Sequence, residues 1–232
     1  MINPSLKKSF LTYFLFLGVC IAGILWAKHL MPPSDSLRIL DWATVAVLLV
    51  GLPFLILQKP AGIPEFWEKQ ISNKIRIWIP LAIGLGFGLL DVLLIKGILH
   101  PEPYADLPPF LQPFPYSIFL YFSGAFEVEV FSRLIPITLV LYIFSKIQQG
   151  KYQNQAFWVM AVLTTVRGPL EQMPDSPTWF VVYALISGFA MNFIQAIFFK
   201  KAGFIASLCV RLGHYLLWHI LLGVYVELIE LS

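Results

Sequence analysis

Residues 116–144 read YSIFLYFSGAFEVEVFSRLIPITLVLYIF, and this stretch decides what kind of protein the chain forms. It is apolar over more than the roughly 20 residues that a helix needs to cross the ~30 Å hydrocarbon core of a bilayer. It nevertheless carries Glu127, Glu129 and Arg133 near its middle. Each charge in a membrane helix costs about 2.5–3.5 kcal/mol on insertion scales, so such residues face a protein interior and have partners. The stretch therefore predicts a membrane span with a buried polar site.

The composition of the whole chain also indicates a membrane protein. Of the 232 residues, 58% are hydrophobic and only 12% are charged, and the mean hydropathy is +0.77. So few charges could not cover the surface of a water-soluble domain, and the apolar content excludes disordered and collagen-like chains. A net charge of +3, scattered along the chain, argues against a nucleic-acid partner. Cys20 and Cys209 lie in apolar runs and are interpreted as small buried hydrophobes.

Seven apolar stretches are long enough to be membrane helices. They predict an all-α, polytopic membrane helix bundle of about seven transmembrane helices, in a single domain over residues 1–232. The predicted spans are residues 10–27, 39–58, 77–99, 116–144, 156–170, 178–199 and 203–230. The proline-rich residues 101–115 predict an extended extracellular connector. Residues 62–74 mix aromatic and charged side chains, which is typical either of a short helix in the membrane interface or of an aromatic-rich loop.

Positive residues are concentrated in alternate loops. One set of loops carries Lys7, Lys8, Lys59, Lys69, Lys74, Arg76, Lys146, Lys151, Lys200 and Lys201. The opposite loops have only Lys28 and Arg38, beside acidic residues that include Asp35 and Asp175. Lys and Arg collect on the cytoplasmic side of membrane proteins, so the pattern predicts an N-in, C-out topology. We expect an integral protein of a bacterial-type cytoplasmic (inner) membrane, with a cytoplasmic N-terminus.

The charged side chains of the fourth span are predicted to lie on different faces of the helix. Glu129 and Arg133 are spaced i, i+4 on one helix face, which predicts a direct pair. Glu127 lies about 200° around the helix from Glu129 and is expected to face elsewhere.

Further polar residues fall at a similar depth in other spans. Arg167 ends the fifth span, and Arg211, Tyr215 and His219 recur every four residues in the seventh, with His214 beside them. We expect these groups to meet Glu127, Glu129 and Arg133 in one chamber, with Asp91 and Lys96 as possible contributors. Two interpretations stay open, namely a structural ion-pair network and an intramembrane functional site.

Some polar and small residues favour packing over chemistry. His214 and His219, at i, i+5, are poorly spaced for a shared zinc ion, and no metal site is predicted. Gly84 and Gly88 suit close helix packing within the third span. Asn192 and Gln195 are expected to form interhelical hydrogen bonds.

The pattern of motifs resembles the CPBP family of intramembrane proteins, the CaaX prenyl protease and bacteriocin-processing group. The family's Glu-Glu-x-x-x-Arg motif is matched by Glu129 and Arg133 after Ser123 and Gly124, with Val128 at the first Glu position. Its Phe-x-x-x-His motif falls on Leu163 and Arg167, followed by Gly168 and Pro169. Its His-x-x-x-Asn or Asp motif falls on Arg211 and Tyr215, and His219 resembles a further family histidine.

The resemblance covers a core of about residues 76–222. Residues 1–75 would then add two N-terminal spans and the interfacial segment. The resemblance implies glutamate-dependent intramembrane proteolysis, in which a glutamate activates water and histidines bind a metal or stabilise an oxyanion.

Arginine at the positions of the two motif histidines changes this chemistry. Arginine neither accepts a proton nor ligates a metal at any working pH, so Arg167 and Arg211 cannot replace the two motif histidines. The leading hypothesis is a non-catalytic CPBP-like membrane protein without a cofactor, acting as a binding or scaffold subunit. Its Glu/Arg cluster, expected to include Tyr215 and His219, is charge-compensated, and its partners are lipid and another membrane protein, with the oligomeric state left open.

Two alternatives belong to other functional classes. One is a CaaX-protease-like endopeptidase with Glu129, His214 and His219 as catalytic residues and with zinc as cofactor. The other is ion or proton transport through the charged chamber.

Overall fold

The computed structural model describes residues 4–30, 37–171 and 177–232. Asp35 and Asp175, which were counted with the acidic loops, lie outside the described residues. Every regular element within the described ranges is helical, and none is a strand. The predicted all-α class is therefore confirmed.

Each predicted span corresponds to one helix of the structure. The described residues form seven: α1 (Pro4–Leu30), α2 (Trp42–Leu57), α3 (Lys74–Leu99), α4 (Tyr116–Gly150), α5 (Gln153–Glu171), α6 (Thr178–Ala202) and α7 (Phe204–Glu230). Helix α2 contains a 3₁₀ turn over Leu49–Gly51. The regular part of α4 ends at Lys146, because Gln148 and Gln149 have positive φ angles.

Five of the described helices, α1, α3, α4, α6 and α7, are long and apolar enough to cross a bilayer. The protein is accordingly a helical, integral membrane protein. Helix α2 is apolar but shorter than these five.

Helix α4 changes its winding beside its charged residues. A π-helical turn over Val130–Leu134 interrupts the α-helix directly after Glu129. Pro136 follows and has no N–H to donate to the Ser132 carbonyl one turn earlier. That carbonyl instead accepts a hydrogen bond of 3.1 Å from Arg133 Nη1. The wider turn rotates the side chains that follow it relative to those before it.

Helices α3 and α7 form the most extensive helix–helix contact, and glycines allow their close approach. A Cβ atom at Gly84 would collide with the Val210 carbonyl oxygen, and one at Gly88 would lie 2.7 Å from the His214 carbonyl oxygen. Gly213 of α7 is equally close to the backbone of α3 at Leu81. The predicted role of Gly84 and Gly88 in helix packing is confirmed.

The segment between α2 and α3, residues 58–73, is called the inner loop below. Over residues 62–72 it is a series of turns, so the loop interpretation is correct and the interfacial-helix interpretation is wrong. Phe66 is fully buried, stacks on Phe204 with ring centroids 4.8 Å apart, and donates its N–H to Ser9 Oγ. Lys200 Nζ donates to the Gly62 carbonyl at 3.0 Å. The inner loop thus closes the end of the bundle at which α1 and α7 begin.

Residues 101–115, the outer connector, lie across the opposite end of the bundle and contain no helix or strand. Two backbone N–H groups of this segment donate to α7 carboxylates, Tyr104 to Glu230 Oε2 and Phe114 to Glu227 Oε2. Burial, with a smaller contribution from Glu230, raises the pKa of the Tyr104 phenol. The Phe110 carbonyl accepts from Tyr121 Oη at 2.6 Å. The connector is therefore fastened to both α4 and α7.

Candidate functional site

Glu129 lies at the centre of a buried polar cluster and is 0% exposed. Its partners come from α7, which packs against this face of α4. Arg211 Nε donates to Glu129 Oε1 at 3.1 Å, and Ser207 Oγ donates to Oε2. Both carboxylate oxygens are therefore occupied by protein donors.

Arg211 continues the cluster towards α6. Its Nη2 donates to Asn192 Oδ1 and to Gln195 Oε1, each at 2.8 Å. The guanidinium carbon also lies 5.8 Å from the centroid of the Tyr215 ring. The predictions that Arg211 meets Glu129 and that Asn192 and Gln195 join helices are confirmed.

Arg133 enters the same cluster from the far side of the π-helical turn. It is fully buried, and its Nη2 donates to Asn192 Oδ1 at 3.0 Å and to Gln195 Oε1 at 3.2 Å. The predicted direct pair with Glu129 is wrong. The i, i+4 rule assumes 3.6 residues per turn, whereas the π-helical turn directs Glu129 towards α7 and Arg133 towards α6.

These contacts define the Glu129 cluster as Glu129, Arg133, Asn192, Gln195, Ser207 and Arg211. These six residues carry one carboxylate and two guanidiniums, so the Glu129 cluster is not charge-compensated as predicted. Neutral amide and carbonyl oxygens hold the second guanidinium, including the Asn192 carbonyl, 2.9 Å from Arg133 Nη2. Among the described residues, Arg133 Nε has no hydrogen-bond partner.

Two residues predicted for the chamber lie elsewhere. Arg167 is exposed on α5. Glu127 is half-buried and is not among the partners of Glu129. Its absence from the Glu129 cluster agrees with the predicted 200° between Glu127 and Glu129.

Asp91 forms a separate, partly buried cluster with His214 and Tyr183. The His214 Nε2 atom lies 2.6 Å from Asp91 Oδ2, and Tyr183 Oη donates to Asp91 Oδ1 at 2.5 Å. These contacts join α3, α6 and α7. No described residue is a partner of His214 Nδ1, although this atom is buried.

His219 lies under the outer connector. Its Nδ1 is 2.8 Å from the Phe110 carbonyl oxygen, and its ring stacks on Tyr121 with centroids 4.1 Å apart. The Tyr215 ring stands nearly perpendicular to it at 4.8 Å. Lys96, a possible chamber contributor, instead pairs with Glu230 at 2.8 Å. The structure thus brings Arg211 into the Glu129 cluster, places Tyr215 against Arg211, and gives both histidines other partners.

The arrangement suits cohesion between helices better than chemistry at Glu129. A general base needs an oxygen that can receive a proton from water, and here both oxygens accept hydrogen bonds in a fully buried site. No group of three His, Cys, Asp or Glu side chains among the described residues is placed to hold a metal ion.

Sequence reasoning missed two residues that complete these clusters. Ser207 lies four residues before Arg211, on the same face of α7, and this spacing could have identified it. Tyr183 has no such signal, because its contact with Asp91 depends on how α6 packs against α3.

In comparisons with known proteins, no family model, no curated protein and no solved structure matches this chain.

Proposed function

We propose that this protein is a non-catalytic membrane-embedded binding or scaffold subunit, related in its motifs to the CPBP family. In this proposal the Glu129 cluster occupies the place of a protease site and holds α4, α6 and α7 together. The observation that carries the proposal is that each oxygen of the buried Glu129 carboxylate accepts a hydrogen bond, one from Ser207 and one from Arg211. A buried carboxylate held by a guanidinium is a poor activator of water.

The two motif positions that hold histidine in the family support this function. Arg211 occupies one of them and is committed to Glu129, Asn192 and Gln195. Arg167 occupies the other and is exposed away from the cluster. Because the guanidinium stays charged, neither residue supplies the proton transfer or metal ligation that hydrolysis requires.

The setting we propose is a bacterial-type inner membrane crossed seven times, with the N-terminus inside. The alternation of basic loops supports this topology. The inner loop contacts the start of α1 and the end of α6, which is consistent with helices that alternate in direction. The partners we propose are membrane lipid and another membrane protein.

The decisive experiment measures bound zinc and peptide cleavage for the detergent-purified protein. We expect no stoichiometric zinc and equal background cleavage of candidate membrane peptides by wild type, Glu129→Gln and the control Glu127→Gln. One zinc per chain, together with cleavage that Glu129→Gln abolishes and Glu127→Gln preserves, would instead establish the endopeptidase that uses Glu129 with His214 or His219.

A further inference from the structure

An open groove of about 400 Å³ lies where α1 and α3 begin, and the Glu129 cluster does not use it. Its charged lining consists of Lys8 of α1, Glu68 and Lys69 of the inner loop, and Arg76 of α3. Three positive groups thus face one carboxylate. The volume falls within the range of about 300–1,000 Å³ that small-molecule sites occupy.

Arg76 gives the groove a fixed positive group. The side chain is 5% exposed, and its Nη1 and Nη2 donate to Asn73 Oδ1 at 2.8 Å and to the Glu68 carbonyl oxygen at 2.5 Å. The guanidinium carbon lies 5.2 Å from the centroid of the Trp67 ring. Within the described part of the chain, Arg76 Nε has no hydrogen-bond partner. Neutral oxygens and an aromatic ring therefore orient this cation, and among the described residues Glu68 is the one carboxylate that faces it in the groove.

The first turn of α3 adds to this positive field. Asn73, which also lines the groove, precedes the first turn of the long helix Lys74–Leu99. The N-terminal end of a helix carries the positive end of its dipole and is suited to phosphate.

The surroundings of the groove favour a lipid over a free anion. Ile71 lines the groove, and Ile75 and Trp78 on the adjoining turns of α3 are 45% and 65% exposed. These side chains offer apolar surface to acyl chains beside the charged groove. Tryptophan is also typical of the interface at which headgroups lie.

We propose that this groove binds the phosphodiester of an anionic glycerophospholipid, with Lys8, Lys69 and Arg76 as its positive ligands. The acyl chains of the lipid lie along Ile75 and Trp78. This site is separate from the Glu129 cluster and does not depend on what that cluster does.

The test measures binding of short-chain phosphatidylglycerol to the full chain in neutral detergent. The informative variant is the double substitution Lys8→Gln/Lys69→Gln. Its matched control, Lys7→Gln/Lys59→Gln, removes the same charge from exposed residues at the same end of the bundle. All four lysines are exposed, so both doubles are expected to fold, and thermal unfolding checks this.

We expect the double variant at Lys8 and Lys69 to bind phosphatidylglycerol about 30-fold more weakly, which corresponds to about 1 kcal/mol for each lysine. The control double should stay within about 2-fold of wild type, and short-chain phosphatidylcholine should bind wild type at least about 10-fold more weakly than phosphatidylglycerol. Equal losses in the two doubles, or equal affinity for the two lipids, would overturn the proposal. Inorganic phosphate that competes at the concentration of the lipid would show a free-anion site and would overturn the lipid assignment.

Discussion

At the scale of single residues, Gln195 sits between two guanidiniums, of which Arg211 donates to the Glu129 carboxylate and Arg133 does not. Gln195 Oε1 accepts from both Arg133 and Arg211, whereas its Nε2 is buried without a partner among the described residues. Within the Glu129 cluster, the Gln195 Nε2 donor is therefore unused, and two guanidiniums stand against one carboxylate.

Gln195→Glu should raise the stability of the protein. The substitution replaces the idle amide nitrogen with an oxygen and supplies a second countercharge, so we expect a gain of at least about 1 kcal/mol in unfolding free energy. The matched Gln195→Leu should lose about 3 kcal/mol, because two buried guanidiniums lose an acceptor. Thermal unfolding in detergent at neutral pH measures both. If Gln195→Glu lowers the stability as much as Gln195→Leu does, the Glu129 cluster does not have an uncompensated positive charge.

Arg211→Ala should be among the most destabilising substitutions in the chain. It strands the buried Glu129 carboxylate, which costs about 3–5 kcal/mol. The comparison is Arg167→Ala, which removes an exposed guanidinium and should cost less than about 1 kcal/mol. Unfolding temperatures of the two variants in the same detergent provide the measurement. If they shift equally, the Glu129 cluster does not hold the helices together.

The sequence allows part of this site to be predicted, and the limits are physical. The contact between Glu129 and Arg211 can be predicted, because an unpaired charge in a membrane helix is costly and the two residues lie at similar depths in their helices. The separation of Arg133 from Glu129 cannot, because a π-helical turn is a local change of winding that helical spacing does not reveal. The position of Arg167 depends on how α5 is rotated against its neighbours, which neither its depth nor its motif position fixes.

At the scale of helices, the contact between α3 and α7 depends on which face of α3 its glycines occupy. Gly84 and Gly88 face α7, whereas no described atom lies within 4 Å of a Cβ placed at Gly86. Gly84→Ala should lower the unfolding free energy by about 1–3 kcal/mol through backbone collision. Gly86→Ala, the same change two residues away, should lower the unfolding free energy by less than about 1 kcal/mol or raise it. Equal destabilisation by the two substitutions in thermal unfolding would rule out close packing as the reason for these glycines.

The number and order of helices were predictable because long apolar runs leave few alternatives in a bilayer. Residues 62–72 were less predictable, since mixed aromatic and charged residues suit an interfacial helix as well as a loop. Tertiary contacts select the loop over the helix, because Phe66 packs on Phe204 and Lys200 binds the Gly62 carbonyl. These partners are more than 130 positions away in the chain and have no local signature.

At the scale of the whole molecule, the proposed topology is testable by labelling. In a chain that lacks Cys20 and Cys209, single cysteines at the exposed positions of Asp106 and Lys151 should react with an impermeant maleimide from opposite sides of the membrane. We expect Asp106→Cys to react in intact cells and Lys151→Cys only after permeabilisation. The reverse pattern would invert the orientation, and reaction of both in intact cells would exclude a crossing by α4.

The same assay decides whether α2 crosses the membrane. Lys28 and Lys59 flank α2 and are both exposed. If α2 crosses, Lys28→Cys reacts in intact cells and Lys59→Cys only after permeabilisation. Reaction of both positions from one side would leave α2 as a helix that does not cross, and the seven-span proposal would be wrong.

The packing of Phe66 on Phe204 has a consequence for biosynthesis. The inner loop leaves the ribosome long before Phe204 does, so its ring has no native stacking partner while the intervening helices are inserted. The inner loop therefore reaches its final packing only after the start of α7 has been delivered to the membrane. In nascent chains truncated before Phe204, the inner loop should therefore stay open to proteolysis at Phe66.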